Sequence, residues 1–410
     1  MRSMRGLAAG LARIAAPGLV VALLPLAWVL DAVERASWAS LGRDQGIFQY
    51  VAWAVGQGEV AYRDIRDVNG PVITIVHAVF QILGGTEEHR FRVLDLAVSG
   101  AVFALAGACV PAITRSASAP TVGLHVRLTW ALAAWGTLSA QYVAYGFWDT
   151  AQRESFLDWF VLSSIALQAT ASGDPRSRRT GAALVVAGAA SFVPWLGKPT
   201  FAAFTLSQAL ALLALGEPLR SRGRRIGLFL LGAVPGLAAP LLFLLLRGDV
   251  RAWIRITFVD VPTMYRFIWP RPAIEIVSLP GYREVALVAL GTSLGLVALI
   301  ARGRLPRAAL PIAAMPLVGL GSVLVQAKGF PYHFHPVTLG TSFGWLVALS
   351  AMWSTHAEGA AERARPLAAR AWRLAVLGAA LLVALRAALL ARSAPYPPAP
   401  PADARDPRAL

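Results

Sequence analysis

The sequence predicts an all-α polytopic membrane protein of about eleven transmembrane helices, with interfacial helices in a long first outer loop. Three observations lead there. Of the 410 residues, 57% are hydrophobic and only 15% are charged, whereas soluble domains carry roughly 25% charge. Apolar stretches of roughly 17–25 residues, long enough to cross a bilayer as helix, recur along the chain. Arginines cluster in alternate gaps between those stretches. A soluble multidomain enzyme is thereby excluded.

The elements follow in order. The run 14–33 comes after a basic start (Arg2, Arg5, Arg13), as in a signal peptide. It is long, and Ser37-Trp38-Ala39 is a poor cleavage site, so an uncleaved first helix is expected. The loop 34–91 is the longest connection. Within it, 45–56 puts Phe48, Val51 and Val55 on one face, adjoined by Ile47, Tyr50 and Ala54. That pattern fits an amphipathic helix lying at the membrane surface, anchored by Trp53. The apolar run 71–84 is too short to cross and reads as interfacial or re-entrant. Further spans are expected at 92–114, 127–146, 155–172, 181–196, 199–215, 226–246, 284–301, 308–325, 336–353 and 374–391. A second long outer segment, 247–283, mixes Arg251, Arg255, Arg266 and Arg271 with Trp253, Tyr265 and Trp269. Arg386 lies inside the last span and can snorkel outward. The tail 394–410 begins Ala-Pro-Tyr-Pro-Pro-Ala-Pro-Pro, which cannot be helical, and is expected to be a disordered extension of the 1–393 membrane domain.

Charge sets the orientation. With the N-terminus inside and 71–84 not crossing, the inside segments hold 19 basic residues against 4 acids, which leaves 19 against 18 elsewhere. Letting 71–84 cross would invert every later loop and put the arginine clusters outside, against the positive-inside rule. The expected orientation is therefore N-terminus inside and C-terminus outside, in a membrane read as the inner (cytoplasmic) one. The formal net charge of +16 is then a record of topology and not a nucleic-acid footprint.

Three rarities matter. Cys109 is the only cysteine, so disulfides within the chain and cysteine-based zinc sites are excluded. Asn69 is the only asparagine, and Gly70-Pro71 follows it, so no glycosylation acceptor exists. Of the 38 basic residues only Lys198 and Lys328 are lysine, both on the expected outer side beside a span end. Lysine offers a compact, rotatable charge suited to a phosphate, although chance alone can place two residues.

The unusual residues gather on that outer side. Arg43-Asp44-Gln45-Gly46 is followed by Gly58-Glu59-Val60-Ala61-Tyr62-Arg63-Asp64 and then Asp67-Val68-Asn69-Gly70-Pro71. This order resembles the first outer loop of the polytopic GT-C glycosyltransferases that use polyprenyl-phosphate sugars, the protein O-mannosyltransferases and aminoarabinose transferases above all. Leu196-Gly197-Lys198-Pro199-Thr200 resembles their lysine-containing break after the fifth span. Gln326-Ala327-Lys328-Gly329-Phe330-Pro331-Tyr332 resembles an Ala-Lys-Gly-x-x-Pro-Tyr loop of the aminoarabinose transferases. The resemblance spreads over residues 43 to 336 and implies a GT-C-like fold, with Asp44 matching the acid proposed as catalytic base. Many relatives have a lysine before the proline that ends this loop, where this chain has Asn69-Gly70-Pro71. Whether Arg63 or Arg66 supplies the missing charge is open from the sequence.

The chemistry fits what the loop offers. An acceptor hydroxyl must lose its proton as it attacks the anomeric carbon, which a carboxylate accomplishes. The departing lipid phosphate needs cations, for which Lys328, Lys198, Arg63 and Arg66 are candidates. Asp149, Glu154, Asp64, Tyr332 and His333 are candidates for orienting acceptor or donor. Simpler roles stand beside these. Asp44 suits an N-cap, Asp64 and Asp67 suit loop salt bridges with Arg63 or Arg66, and Glu154 suits a helix-start charge. His333 and His335 form a His-x-His, but no cysteine or third ligand lies nearby in sequence, so no metal site is assigned. No cofactor is required, and a divalent ion is left open. The expected partners are a polyprenyl-phosphate sugar, membrane lipids and a glycan, lipid or protein acceptor, with no nucleic acid. A transporter or lipid-linked-glycan flippase is the rival, yet the charges lie in loops and at span ends, without internal repeats.

Overall fold

The computed structural model describes residues 16–114, 122–171, 176–353 and 366–396, with the backbone alone for 366–373. The described residues form no strand. Two isolated bridges tie Ala61 to Ile65 and to Gly248. The first run is a broken helix, α1 (Ala16–Leu23) and α2 (Leu26–Ser37), bent by 49° at the break, where Pro25 interrupts the hydrogen-bond ladder. α3 (Arg43–Gly56) is the expected interfacial helix. It buries Phe48, Val51 and Val55 while Ile47, Tyr50 and Trp53 stay exposed. α4 (Pro71–Gly84) has proline in its first turn, which suits a position whose N–H has no helical partner. It ends at Gly85, whose φ of 72° is left-handed.

The bundle follows: α5 (Glu88–Ile113), α6 (Leu124–Val143), the one-turn α7 (Gly146–Asp149), α8 (Arg153–Thr170), α9 (Arg178–Phe192) and α10 (Ala202–Leu213). Then come α11 (Leu219–Leu231), α12 (Ala233–Arg247), the short α13 (Val250–Arg255), α14 (Val261–Phe267) and α15 (Ala273–Ser278). α16 (Tyr282–Ala301), α17 (Leu310–Gln326), α18 (His335–Trp353) and α19 (Pro366–Ser393) complete it. Each of the expected spans is helical. Length and composition qualify only 6 of the described helices as spans, or 7 with the bent pair. For two of the remaining helices, α8 and α18, the shortfall has a physical reason. α18 touches α5, α6, α8, α16, α17 and α19, and it and α8 are almost wholly enclosed by protein. Such helices need not be apolar toward lipid, and α8 carries Arg153, Glu154 and Asp158.

Outward-facing positions on the other helices are apolar, among them Leu105, Leu245, Leu294 and Leu382. This is a multi-pass membrane protein. Its main core holds Trp130, Phe156, Phe201 and Phe343. Helices α9 and α11 cross so closely that a Cβ at Gly188 would run into the Phe229 carbonyl. Helix α19 ends against the bundle. Tyr396, just beyond it, is buried and its hydroxyl lies 3.4 Å from the Thr150 hydroxyl. Residues 397–410 of the expected tail lie outside the described residues, as do Arg2, Arg5, Arg13, Arg115, Arg363 and Arg365.

Gly70 makes the closest approach near the site. A Cβ there would meet the Leu196 carbonyl, and the Gly70 N–H donates to the Gly197 carbonyl at 3.3 Å. Gly70→Ala is expected to destabilise the fold by about 1–3 kcal/mol through overpacking against backbone. A thermal-melting shift no larger than that of Gly46→Ala, where a Cβ meets nothing within 4 Å, would contradict this.

Candidate functional site

The site forms where the start of α3, the strap 59–70, the α7 turn, the start of α8, the break 197–200 and the loop 327–334 meet. Asp44 sits in the first turn of α3, but it is not the cap. The N-cap is Gly42, whose N–H is taken by the Gln45 side chain. The Asp44 carboxylate is 28% exposed and has Arg43 at 3.5 Å. Arg92, fully buried on α5, donates to the Gln45 side chain at 2.8 Å, to the Ser40 carbonyl at 2.8 Å and to the Phe147 carbonyl at 3.0 Å. Gln45 donates in turn to Phe147 and Thr150 carbonyls. One guanidinium and one amide thus hold the Asp44 helix against the turn bearing Asp149.

Asp44 and Asp149 line a cavity of about 540 Å³. Arg66, Glu154, Lys328 and Tyr332 line it too, with Trp148 and Tyr265. Burial, then the charges of Asp44 and Glu154, push the Asp149 carboxyl up to about 6. A carboxyl with a raised pKa holds its proton more tightly in the folded chain. It adds stability below its unfolded value of about 3.9, and that stability is lost as pH rises to about 6. Asp149→Asn should flatten melting temperature over that window, by about 1 kcal/mol once its half-exposed position is discounted. Parallel pH curves for wild type and variant would contradict this.

The strap is held from within. Tyr62 donates to the Asn69 carbonyl at 2.9 Å. One Asp67 carboxylate oxygen accepts the Asn69 backbone N–H at 3.0 Å and its side-chain amide at 2.7 Å. Burial raises the Asp67 pKa, opposed by those hydrogen bonds. Asp64 turns away: it accepts from the Val60 N–H at 2.8 Å and from Arg63 at 2.9 Å. Those bonds, Arg63's first, hold its carboxyl down at about 2. Arg66 pairs with Asp260 at 2.5 Å.

Glu154, fully buried, anchors the deepest part. Lys198 contacts one of its oxygens, with Arg153 at 3.4 Å and His333 at 3.7 Å from the same atom. Lys198 also donates to the Gln326 side chain. Burial, then the charge of Lys198, holds His333 well below its usual pKa, in the neutral form. Arg153 donates to the Asn69 side-chain oxygen at 3.0 Å. Lys328 donates to the Tyr265 carbonyl at 2.8 Å and to that of Ile268, 4.6 Å from the Tyr265 ring centre.

A second cavity, of about 640 Å³, lies behind this one and shares Val68, Arg153 and Tyr265 with it. Its walls are mainly apolar, with Trp195, Trp253, Phe258 and Val325, and its polar members include Lys198, Gln326, Arg153 and Arg266. Of the residues picked out from sequence, Asp44, Asp149, Glu154, Lys328, Arg66 and Tyr332 meet in the first cavity. Lys198 lines the second. His333 is buried beside Glu154. Arg63 and Asp64 line neither cavity. His333 and His335 diverge, the latter reaching the Asp149 carbonyl at 2.7 Å. Among the described residues no three His, Cys, Asp or Glu are grouped to hold a metal ion. Sequence reasoning missed Arg153, Gln326 and Tyr265. The adjacent opposite charges of Arg153-Glu154 at a helix start were the one available signal.

Comparison of the sequence with family models and with curated proteins finds no match. Comparison of the fold with solved structures finds the crystal structure of ArnT from Cupriavidus metallidurans bound to undecaprenyl phosphate. The TM-score is 0.54 and the identity 16%, over 92% of this chain and 75% of that one. The fold is GT-C-like. At this identity the likeness to ArnT concerns the fold, and what the ArnT-like framework does here rests on the residues above.

Proposed function

We propose that the protein is an inverting membrane glycosyltransferase, moving a sugar from a polyprenyl phosphate to an acceptor on the outer face of the cytoplasmic membrane. The observation that carries this is the pair of adjacent cavities on an ArnT-like fold: one faced by Asp44 and Asp149, the other mainly apolar and lined by Lys198. The prenyl chain occupies the apolar chamber, the sugar the first one, and the phosphate the wall between them. Undecaprenyl phosphate in the ArnT crystal structure supports that class of donor.

Asp44 accepts the proton of the acceptor hydroxyl as the acceptor oxygen bonds to the anomeric carbon. The bond from that carbon to the phosphate oxygen breaks, and polyprenyl phosphate leaves with the electron pair. A single displacement inverts the anomeric centre. Cations at the wall stabilise the charge that grows on the leaving phosphate. The arginine clusters at 220–225 and 302–307 support a cytoplasmic position for the opposite end of the bundle.

The test is transfer of radiolabelled sugar from a defined polyprenyl-phosphate donor by the full chain in liposomes. Transfer with inversion supports the proposal. Movement of intact lipid or solute across the bilayer without transfer would replace it with a transporter.

A further inference from the structure

Four cations were singled out from sequence as phosphate ligands, and each has a partner in the fold. Lys328 gives its ammonium to two backbone carbonyls, and Lys198 to Glu154 and Gln326. Arg63 pairs with Asp64, and Arg66 with Asp260. Arg153 differs. It is buried, and it lines both cavities at the wall they share. Its Nε is a buried donor with no hydrogen-bond partner. Its terminal nitrogens reach the Asn69 amide oxygen at 3.0 Å and Glu154 at 3.4 Å, which leaves Nε for a ligand.

We infer that Arg153, aimed by Asn69, is the guanidinium that grips the phosphate of the lipid-linked donor. The inference rests on the donor class proposed above and names the residue that recognises it.

Three features on the page support this. First, Asn69 cannot rotate away. Its amide nitrogen and its backbone N–H are both held by Asp67, which leaves the amide oxygen to face Arg153. Gly70 and Pro71 then lock the strap against the 197–200 break and the start of α4. Second, Lys198 and Arg153 converge on a single Glu154 oxygen, with Lys198 the closer, so Arg153 is the less tightly held of the two cations and the one better able to turn to a bound phosphate. Third, a guanidinium presents a planar fork that matches two phosphate oxygens, and it is weakly hydrated enough to work where water is excluded.

The experiment compares undecaprenyl phosphate with undecaprenol for binding to the purified full chain in nanodiscs. Wild type should prefer the phosphate. Arg153→Gln should weaken phosphate binding roughly 10- to 100-fold, the worth of a charged hydrogen bond, and leave undecaprenol binding unchanged. Equal loss for both lipids would assign Arg153 a structural role and overturn the inference, and so would no loss for either. Should Arg153→Gln fail to fold, Arg153→Lys carries the test, since it keeps a charge but not the fork. Its phosphate preference should fall several-fold, and an unchanged preference overturns the inference. A wild type that binds both lipids equally would count against the donor class itself, a result distinct from failure of Arg153 alone.

Discussion

Asp44→Asn should leave the chain folded and inserted while lowering sugar transfer roughly 10²- to 10⁴-fold, the usual contribution of a positioned general base. The substitution keeps the shape and removes the ability to take a proton. Its effect on folding should be small. Asp44 is not the α3 cap, a function that falls to Gly42 and Gln45, and its ion pair with Arg43 is exposed. Loss of a negative charge in the first turn costs about 0.3–1 kcal/mol through the helix dipole. Single-turnover transfer separates chemistry from donor binding, which the variant should keep because the carboxylate lines the first cavity and not the apolar one. Turnover within a few-fold of wild type would show that another group takes the proton. Asp149 is the obvious alternative, since it faces the same cavity, and Asp149→Asn then becomes the decisive variant.

The helices could be read from the sequence because bilayer thickness imposes a length that apolar runs display directly. α3 was legible for a different reason: Phe48, Val51 and Val55 repeat at helical spacing, and those residues are the ones buried. The number of membrane crossings was less accessible. Interior helices such as α8 and α18 are shielded by other helices, so their composition no longer reports their depth. The site divides along the same line. Asp44, Asp149, Lys198 and Lys328 stood out by type and place. Pairing across the bundle did not, because Lys198 reaches residue 154 in one direction and 326 in the other. Arg63 and Arg66 look equivalent in sequence, yet only Arg66 lines the cavity. Two residues of strap separate them, and an ion pair to Asp64 holds the first outside. Arg153 stayed hidden because its function depends on Asn69, whose orientation is decided by Asp67.

Lys198→Met should destabilise the protein by about 3–5 kcal/mol, the cost of breaking a buried ion pair from one side. Glu154 is fully enclosed and Lys198 nearly so. Its other oxygen is a buried acceptor without a partner, so the carboxylate depends on the cations around the first. Without Lys198 it keeps Arg153 at 3.4 Å and a neutral His333 at 3.7 Å, contacts too long to replace the lost one. Arg153 would then be drawn toward Glu154 and away from Asn69, so donor affinity should fall along with stability. The double variant Glu154→Gln/Lys198→Met separates the two effects. It removes both charges, so most of the stability should return, as it does when a buried pair is replaced as a unit. Donor binding should return as well, because Arg153 no longer has a buried carboxylate to neutralise and stays on Asn69. Thermal melting and lipid binding on the single and double variants measure this coupling. If the double variant melts no higher than Lys198→Met alone, the lysine acts by filling space and not by its charge. If it melts near wild type but leaves phosphate binding lost, Lys198 holds the phosphate directly, and the guanidinium shares the phosphate with it.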